Sequence, residues 1–257
     1  MNKLQSIKKL RSKLKNQASI GSWIQIPNSS VAEIIGDSGY DWAAVDMEHG
    51  QISTDSLPDL FRALELGDTL PLVRVAQPCS NDCKLALEAG AAGVIIPLIE
   101  SADQLFELIQ YSQWPPAGKR GVGFSRANLF GKYFTKYSKE SQSPFIVAMI
   151  ESKKGADNID EILKVSGLDA VFIGPYDLSA SLGKTGQFKS EIYTYTIDTI
   201  KSKCEKSGIP FGIHIVEPSL NELETKLNDG FRFIAYSIDT VHLRNSLELV
   251  FKKNNKL

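Results

Sequence analysis

The chain of 257 residues has few cysteines: Cys79, Cys83 and Cys204, with no Cys-x-x-Cys pair. A sparse, odd set reads as free thiols in a reducing compartment, not as a disulfide framework. Cys79 and Cys83 fall at the spacing of one helix face, but two soft ligands alone do not make a zinc site. No run approaches the ~18 apolar residues of a membrane span. Neither sign of charge is in excess: the net charge is -1. That argues against a nucleic-acid partner, which would ask for a basic patch or stripe. The segment from Met1 to Lys15 lacks the continuous apolar core of a signal peptide. Its Leu4, Ile7, Leu10 and Leu14 recur at helical spacing with basic residues between. Residues 1–16 therefore read as a helix packed on its own domain, in preference to one lying on a membrane surface. The expectation is a soluble, cytoplasmic protein with no membrane partner.

What the chain does have is alternation. Short apolar runs predict strands at Ile20–Ile26, Trp42–Met47, Pro71–Val75, Gly93–Leu98, Phe145–Ile150, Ala170–Gly174, Pro210–Val216 and Arg232–Ser237. Amphipathic segments between them predict helices over Ser29–Ser38, Thr54–Leu66, Asn81–Ala89, Ala102–Tyr111, Asn158–Val165, Ser190–Ser207, Pro218–Asp229 and Thr240–Phe251. Glycines follow several of these, such as Gly39, Gly90 and Gly208. Eight alternations over this length predict an α/β fold, a (β/α)8 TIM barrel, in preference to a doubly wound open sheet. Nothing marks a second domain, so residues 1–257 read as one. The segment 114–144 is long and rich in Gly, Lys and aromatics; it reads as an excursion at the active face, a lid, binding loop or subunit contact.

A barrel gathers its chemistry where strands end. Two apolar runs end in acids: Phe145-Ile-Val-Ala-Met-Ile-Glu151 and Ala170-Val-Phe-Ile-Gly-Pro-Tyr-Asp177. On neighbouring strands, about 4.8 Å apart, two carboxylates repel unless one is protonated or a cation lies between them. Two hard oxygen ligands suit Mg2+ or Mn2+. The competing reading has Asp177 capping the next helix and Glu151 in a salt bridge. Arg74 ends the third strand; its charge suits an enolate or alkoxide oxygen, or equally an ion pair with Asp46 or Glu48. Asp46-Met-Glu-His-Gly50 packs three titratable groups around one turn. His49 there is a candidate for proton transfer or for holding a water, against the plainer reading of a surface histidine. His214 in the seventh strand joins the same end. No predicted strand contains a lysine, which disfavours a Schiff-base route. Ser237-Ile-Asp-Thr-Val lacks the glycines of a phosphate cradle, which weakens a sugar-phosphate isomerase reading.

Several longer stretches match one family. They are Gly39-Tyr-Asp-Trp, Asp46-Met-Glu-His-Gly50, Arg74-Val, Gly90-Ala-Ala-Gly-Val-Ile-Ile-Pro97, Pro115-Pro-Ala-Gly-Lys-Arg-Gly121, Ile150-Glu151 and Gly174-Pro-Tyr-Asp-Leu-Ser179 followed by Leu182-Gly183. Over nearly its whole length the chain resembles the HpcH/HpaI aldolases, metal-dependent class II pyruvate aldolases of the phosphoenolpyruvate/pyruvate barrel superfamily. The resemblance implies cleavage or formation of 4-hydroxy-2-oxo acids from a 2-oxo acid and an aldehyde. It implies a divalent ion, Mg2+, Mn2+ or Co2+, held by Glu151 and Asp177 and chelated by the 2-oxo acid. It places the substrate carboxylate at the backbone around Gly174, Pro175 and Tyr176. Arg74 would contact the carbonyl oxygen, His49 would move the proton of the 4-hydroxyl, and Asp46 would tune that network. It implies a homo-oligomer, a hexamer built from dimers that exchange C-terminal helices, here Thr240–Phe251. The chain departs from the family at Glu88, where an aspartate usually pairs with the histidine, at Met149 and Tyr176, and at His214, a position more often apolar. These departures predict a changed acceptor or substrate. The sibling reading is a citrate-synthase-like or CoA-thioester lyase or condensing enzyme. A reading from another class is a catalytically silent barrel that serves as a binding module.

Overall fold

In the computed structural model, which describes the backbone of residues 1–254 and the side chains of residues 1–249, eight parallel strands close into a barrel in sequence order. The strands are β1 (Ser19–Ile24), β2 (Trp42–Asp46), β3 (Leu70–Arg74), β4 (Gly93–Ile96), β5 (Phe145–Ile150), β6 (Ala170–Ile173), β7 (Phe211–Ile215) and β8 (Phe233–Ile238). Each begins and ends within two residues of its expected bounds. The expected (β/α)8 barrel is what forms.

Helices precede β1 and wrap the strands. They are α1 (Lys3–Leu14), α2 (Ser29–Asp37), α3 (Leu57–Leu66), α4 (Ser80–Ala89), α5 (Ala102–Ser112), α6 (Phe134–Glu140), α7 (Lys153–Asp157), α8 (Ile159–Ile162), α9 (Pro175–Ser181), α10 (Glu191–Ser207), α11 (Leu220–Asn228) and α12 (Asp239–Asn254). The helix expected over 158–165 is instead the pair α7 and α8, and α6 and α9 were not foreseen. No helix among the described residues is long and apolar enough to cross a membrane.

Side-chain alternation splits the core in two. Along β2, Ala43 and Val45 pack outward on the helices, while Trp42 and Ala44 fill the lumen. Trp42 stacks on Phe233 at 4.2 Å between ring centroids. Gly21 makes room for it: a Cβ there would lie 2.1 Å from the indole. Ile7, Leu10 and Leu14 of α1 are buried in the lumen cluster, so α1 closes the floor of the barrel. It is bolted there by Arg11, which donates to Asp169 at 2.6 and 2.8 Å and to the Pro144 carbonyl at 2.9 Å. Lys13 reaches Asp41 at 2.7 Å, and Lys3 the Gly90 carbonyl at 2.6 Å.

The expectation for 114–144 is corrected. The segment leaves α5 and feeds β5, and helices run back along the barrel, so it lies at the N-terminal floor and not at the active face. Arg126 within it donates to the Ala89 carbonyl at 3.0 Å and pairs with Glu65 at 3.5 Å, at the trailing ends of α4 and α3. The backbone N–H of Trp114 donates to the Ser141 carbonyl at 3.0 Å, and Arg120 donates to the buried Tyr137 hydroxyl at 2.8 Å. The final helix, expected over 240–251, is α12; residues 255–257 lie outside the described residues.

Candidate active site

Asp46 and Arg74 sit opposite each other in the β2–β3 register, so both side chains enter the lumen from the C-terminal rim. The pairing is bidentate: Nε to Oδ1 at 2.8 Å and Nη2 to Oδ2 at 2.7 Å. Arg74 Nη1 lies 3.0 Å from Glu48 Oε2. The guanidinium stands over the Trp23 ring, 4.5 Å from its centroid, which adds a cation–π contact. Asp46 also accepts from the Gln25 side-chain amide at 2.9 Å and from the backbone N–H groups of Glu48 and His49 at 3.1 and 3.2 Å. Burial pushes its pKa up, but the hydrogen bonds and charge of Arg74 outweigh that, and its carboxyl is held below the usual range. Gln25 is fixed in turn, because its own N–H and that of Ile26 donate to Asp239 at 3.0 and 2.9 Å.

Glu151 follows β5 and is 3% exposed. Its Oε1 accepts from the Leu98 N–H at 2.6 Å. Gly174 gives the carboxylate its space: a Cβ there would lie 2.6 Å from Oε2. Burial pushes the Glu151 pKa up to about 7, the Leu98 N–H opposes it, and the charges of Glu48 and Asp177 raise it further. Glu48 is raised for the same first reason, with Arg74 and His49 pulling it down and Asp46 and Asp177 pushing it up. Asp177 lies in the first turn of α9, whose N-cap is Gly174 and whose first residue is Pro175. It is therefore three positions past the cap, and the capping alternative does not hold.

A cavity of about 350 Å3 opens at the C-terminal mouth, lined among others by His49, Arg74, Met149, Tyr176, Asp177 and His214; Asp46, Glu48 and Glu151 do not line it. Gly174 and Pro175 line it too. Of the residues expected here, the structure does not bring Glu88 to the mouth. Glu88 is near the trailing end of α4, two residues before Gly90, whose carbonyl holds Lys3 of the floor helix. It pairs with Arg120 at 3.7 Å. Within one chain it is not the partner of His49. Sequence reasoning missed Trp23 and Gln25. The signal for both was their place at the end of the first strand, on the rim that supplies the other candidates.

No group of three or more His, Cys, Asp and Glu side chains among the described residues is arranged to hold a metal ion. Glu151 and Asp177 nevertheless fit a hard divalent ion that takes its other ligands from water and a chelating substrate. Glu151 holds its proton up to about pH 7 with two further carboxylates bearing on it, and a cation relieves that charge.

A closed parallel barrel with acids and one arginine at its C-terminal mouth is the architecture of an enzyme acting on a small molecule. The chain belongs to the HpcH/HpaI aldolase/citrate lyase family, whose sequence profile matches residues 19–246. It is 36% identical over 229 residues to a hydroxypyruvate/pyruvate aldolase of Roseobacter denitrificans, covering 88% of each chain. It is 33% identical over 236 residues to a 2-keto-3-deoxy-L-rhamnonate aldolase of Escherichia coli, covering 91% of this chain and 88% of that one. The crystal structure of an HpcH/HpaI aldolase/citrate lyase family protein from Burkholderia cenocepacia superposes with a TM-score of 0.89 at 27% identity, over 95% of this chain and 98% of the other.

Proposed function

We propose that the protein is a class II aldolase, a carbon–carbon lyase that cleaves or forms 4-hydroxy-2-oxo acids. One observation carries the reading: Arg74, His49 and Asp177 line a single cavity, and the Glu151 carboxyl beside it is crowded by other acids. Glu151 and Asp177 would hold a divalent ion, Mg2+, Mn2+ or Co2+, and this ion when bound supplies Lewis-acid polarisation of a 2-oxo acid. The chain's own residues do the rest. Arg74 donates to the carbonyl oxygen as it gains negative charge in cleavage. That charge appears when the C3–C4 bond breaks and the 4-hydroxyl loses its proton to become the aldehyde carbonyl. His49 takes this proton through a water, and Asp46 fixes both His49, through its backbone N–H, and Arg74. Tyr176, Met149 and His214 shape the wall that the acceptor meets.

A homo-oligomer with exchanged C-terminal helices is part of this reading. It is supported by Leu243, Leu247 and Leu249 on α12, which are 53%, 65% and 55% exposed. A cytoplasmic setting is supported by three cysteines that are all free. The second reading, a citrate-synthase-like or CoA-thioester lyase or condensing enzyme on the same barrel, is favoured by the citrate lyase half of the family's description and by a citrate synthase whose crystal structure superposes with a TM-score of 0.83 at 25% identity. The deciding experiment incubates the protein with pyruvate, Mn2+ and a panel of aldehydes and reads product mass. Condensed products that vanish with EDTA support the aldolase. Turnover seen only with citryl-CoA or acetyl-CoA supports the lyase.

A further inference from the structure

His214 is a polar side chain in a largely apolar stretch of the cavity wall. It pairs in register with Ala235 of β8 and lies against Trp23, 5.5 Å between ring centroids. Its Nε2 is 3.3 Å from the Ser237 carbonyl oxygen. A carbonyl oxygen only accepts, so Nε2 carries the hydrogen. Ser237 is itself held firmly. Its φ is 60°, its hydroxyl donates to the Val216 carbonyl at 2.9 Å, and its carbonyl also accepts from the Ser22 hydroxyl at 3.3 Å. The ring is thereby fixed in one tautomer, with Nδ1 a bare lone pair. Nothing among the described residues donates to that nitrogen.

We infer that Nδ1 of His214 accepts a hydrogen bond from a hydroxyl group of the substrate, so that the enzyme selects a hydroxylated chain over its deoxy counterpart. The inference rests on the aldolase reading above and sharpens its substrate class. A neutral acceptor repels a carboxylate, and a carbonyl has nothing to donate. An ammonium group would meet the Arg74 charge, which bears on the His214 ring. The hydroxyl is the donor that remains among aldol reactants. Burial lowers the ring's pKa to about 4, so the lone pair is present at neutral pH.

The hydroxyl can belong to the 2-oxo acid or to the aldehyde, and a four-way panel separates them: pyruvate or hydroxypyruvate, each with acetaldehyde or glycolaldehyde, with Mn2+. The expected result is that the wild type prefers the hydroxylated member of one arm by about tenfold in kcat/KM, the scale of one neutral hydrogen bond. His214→Phe keeps a ring and removes the acceptor; it brings that ratio close to one. His214→Asn restores part of it. Equal ratios in wild type and His214→Phe, or a wild-type preference for the deoxy member, overturn the inference while leaving the aldolase standing. Absence of condensation in all four pairings overturns both. A readout independent of turnover is the 15N spectrum of the His214 ring: an Nε2–H tautomer is expected, and an Nδ1–H tautomer refutes the inference.

Discussion

The two ends of the barrel treat charge in opposite ways. At the floor, two acids that α1 meets, Asp169 and Asp41, each have a matching base and a backbone anchor. Asp169 takes Arg11 through two oxygens and also accepts the Ile146 N–H at 2.9 Å. Asp41 takes Lys13 and accepts the Ile20 N–H at 3.0 Å. At the mouth, Asp46, Glu48, Glu151 and Asp177 crowd around one arginine. There the pKa values are driven apart, Asp46 down and Glu48 and Glu151 up. The paired charges of Asp169 and Asp41 hold the floor helix in place, whereas the raised Glu151 carboxyl at the mouth is held ready for something the chain does not itself supply.

The comparison breaks most visibly at Glu151. Glu151→Gln or Asp177→Asn is expected to abolish metal-dependent pyruvate release and leave the circular dichroism spectrum unchanged. Full turnover in either variant, or in EDTA, would refute the assignment of these two as ligands. Arg74→Ala comes next. Turnover should fall at least ~100-fold, as for loss of one oxyanion donor. Stability should fall by about 3–5 kcal/mol in urea titrations, because buried Asp46 keeps its charge and loses its partner. A change confined to KM would contradict the role.

A smaller effect is set by pH. The Glu151 carboxyl is raised from 4.5 to about 7, so between those values the folded apoprotein holds a proton that the unfolded chain releases. Its contribution to stability is fully present below pH 4.5 and is lost as pH rises through about 7. An ion must displace that proton. Mn2+ affinity should therefore weaken by about tenfold per pH unit below about 7, with one proton released per ion in calorimetry at pH 6. The smallest effect lies at the floor. Arg11→Ala should cost about 1–3 kcal/mol of stability and leave turnover at its wild-type value. A matching loss of activity would show that the two ends are coupled.

How much of this was legible depended on the kind of signal. Buried parallel strands are apolar on both faces, so their runs stand out, and Glu151 is conspicuous as the first charge after six buried residues. Rim residues such as Asp46, Arg74 and His49 followed from strand ends alone. Gln25 holds the same kind of place at the end of the first strand, but an uncharged amide does not stand out there until Asp46 and Asp239 are seen on either side of it. Glu88 was placed by alignment with a family position. Only the direction in which α4 runs shows that it belongs to the floor. The 114–144 error is of the same kind: the segment's composition suggested a lid, but its position after a helix and before a strand fixes the opposite end. The helix α9 was hidden because Gly174-Pro175 reads as a turn, yet proline at a first helical position is a start signal.

The floor helix has a consequence in time. Lys3–Leu14 are synthesised before any strand, yet Arg11 finds Asp169 only 158 residues later in the chain. Ile7, Leu10 and Leu14 belong to one lumen cluster with residues as distant as Phe233 and Ala235. This helix leaves the ribosome before every strand it packs on and is thus among the last elements to dock, and until β8 closes the ring it carries an apolar stripe with nowhere to bury it. Its lysines and arginine, which later bolt the floor, meanwhile keep that waiting segment in water.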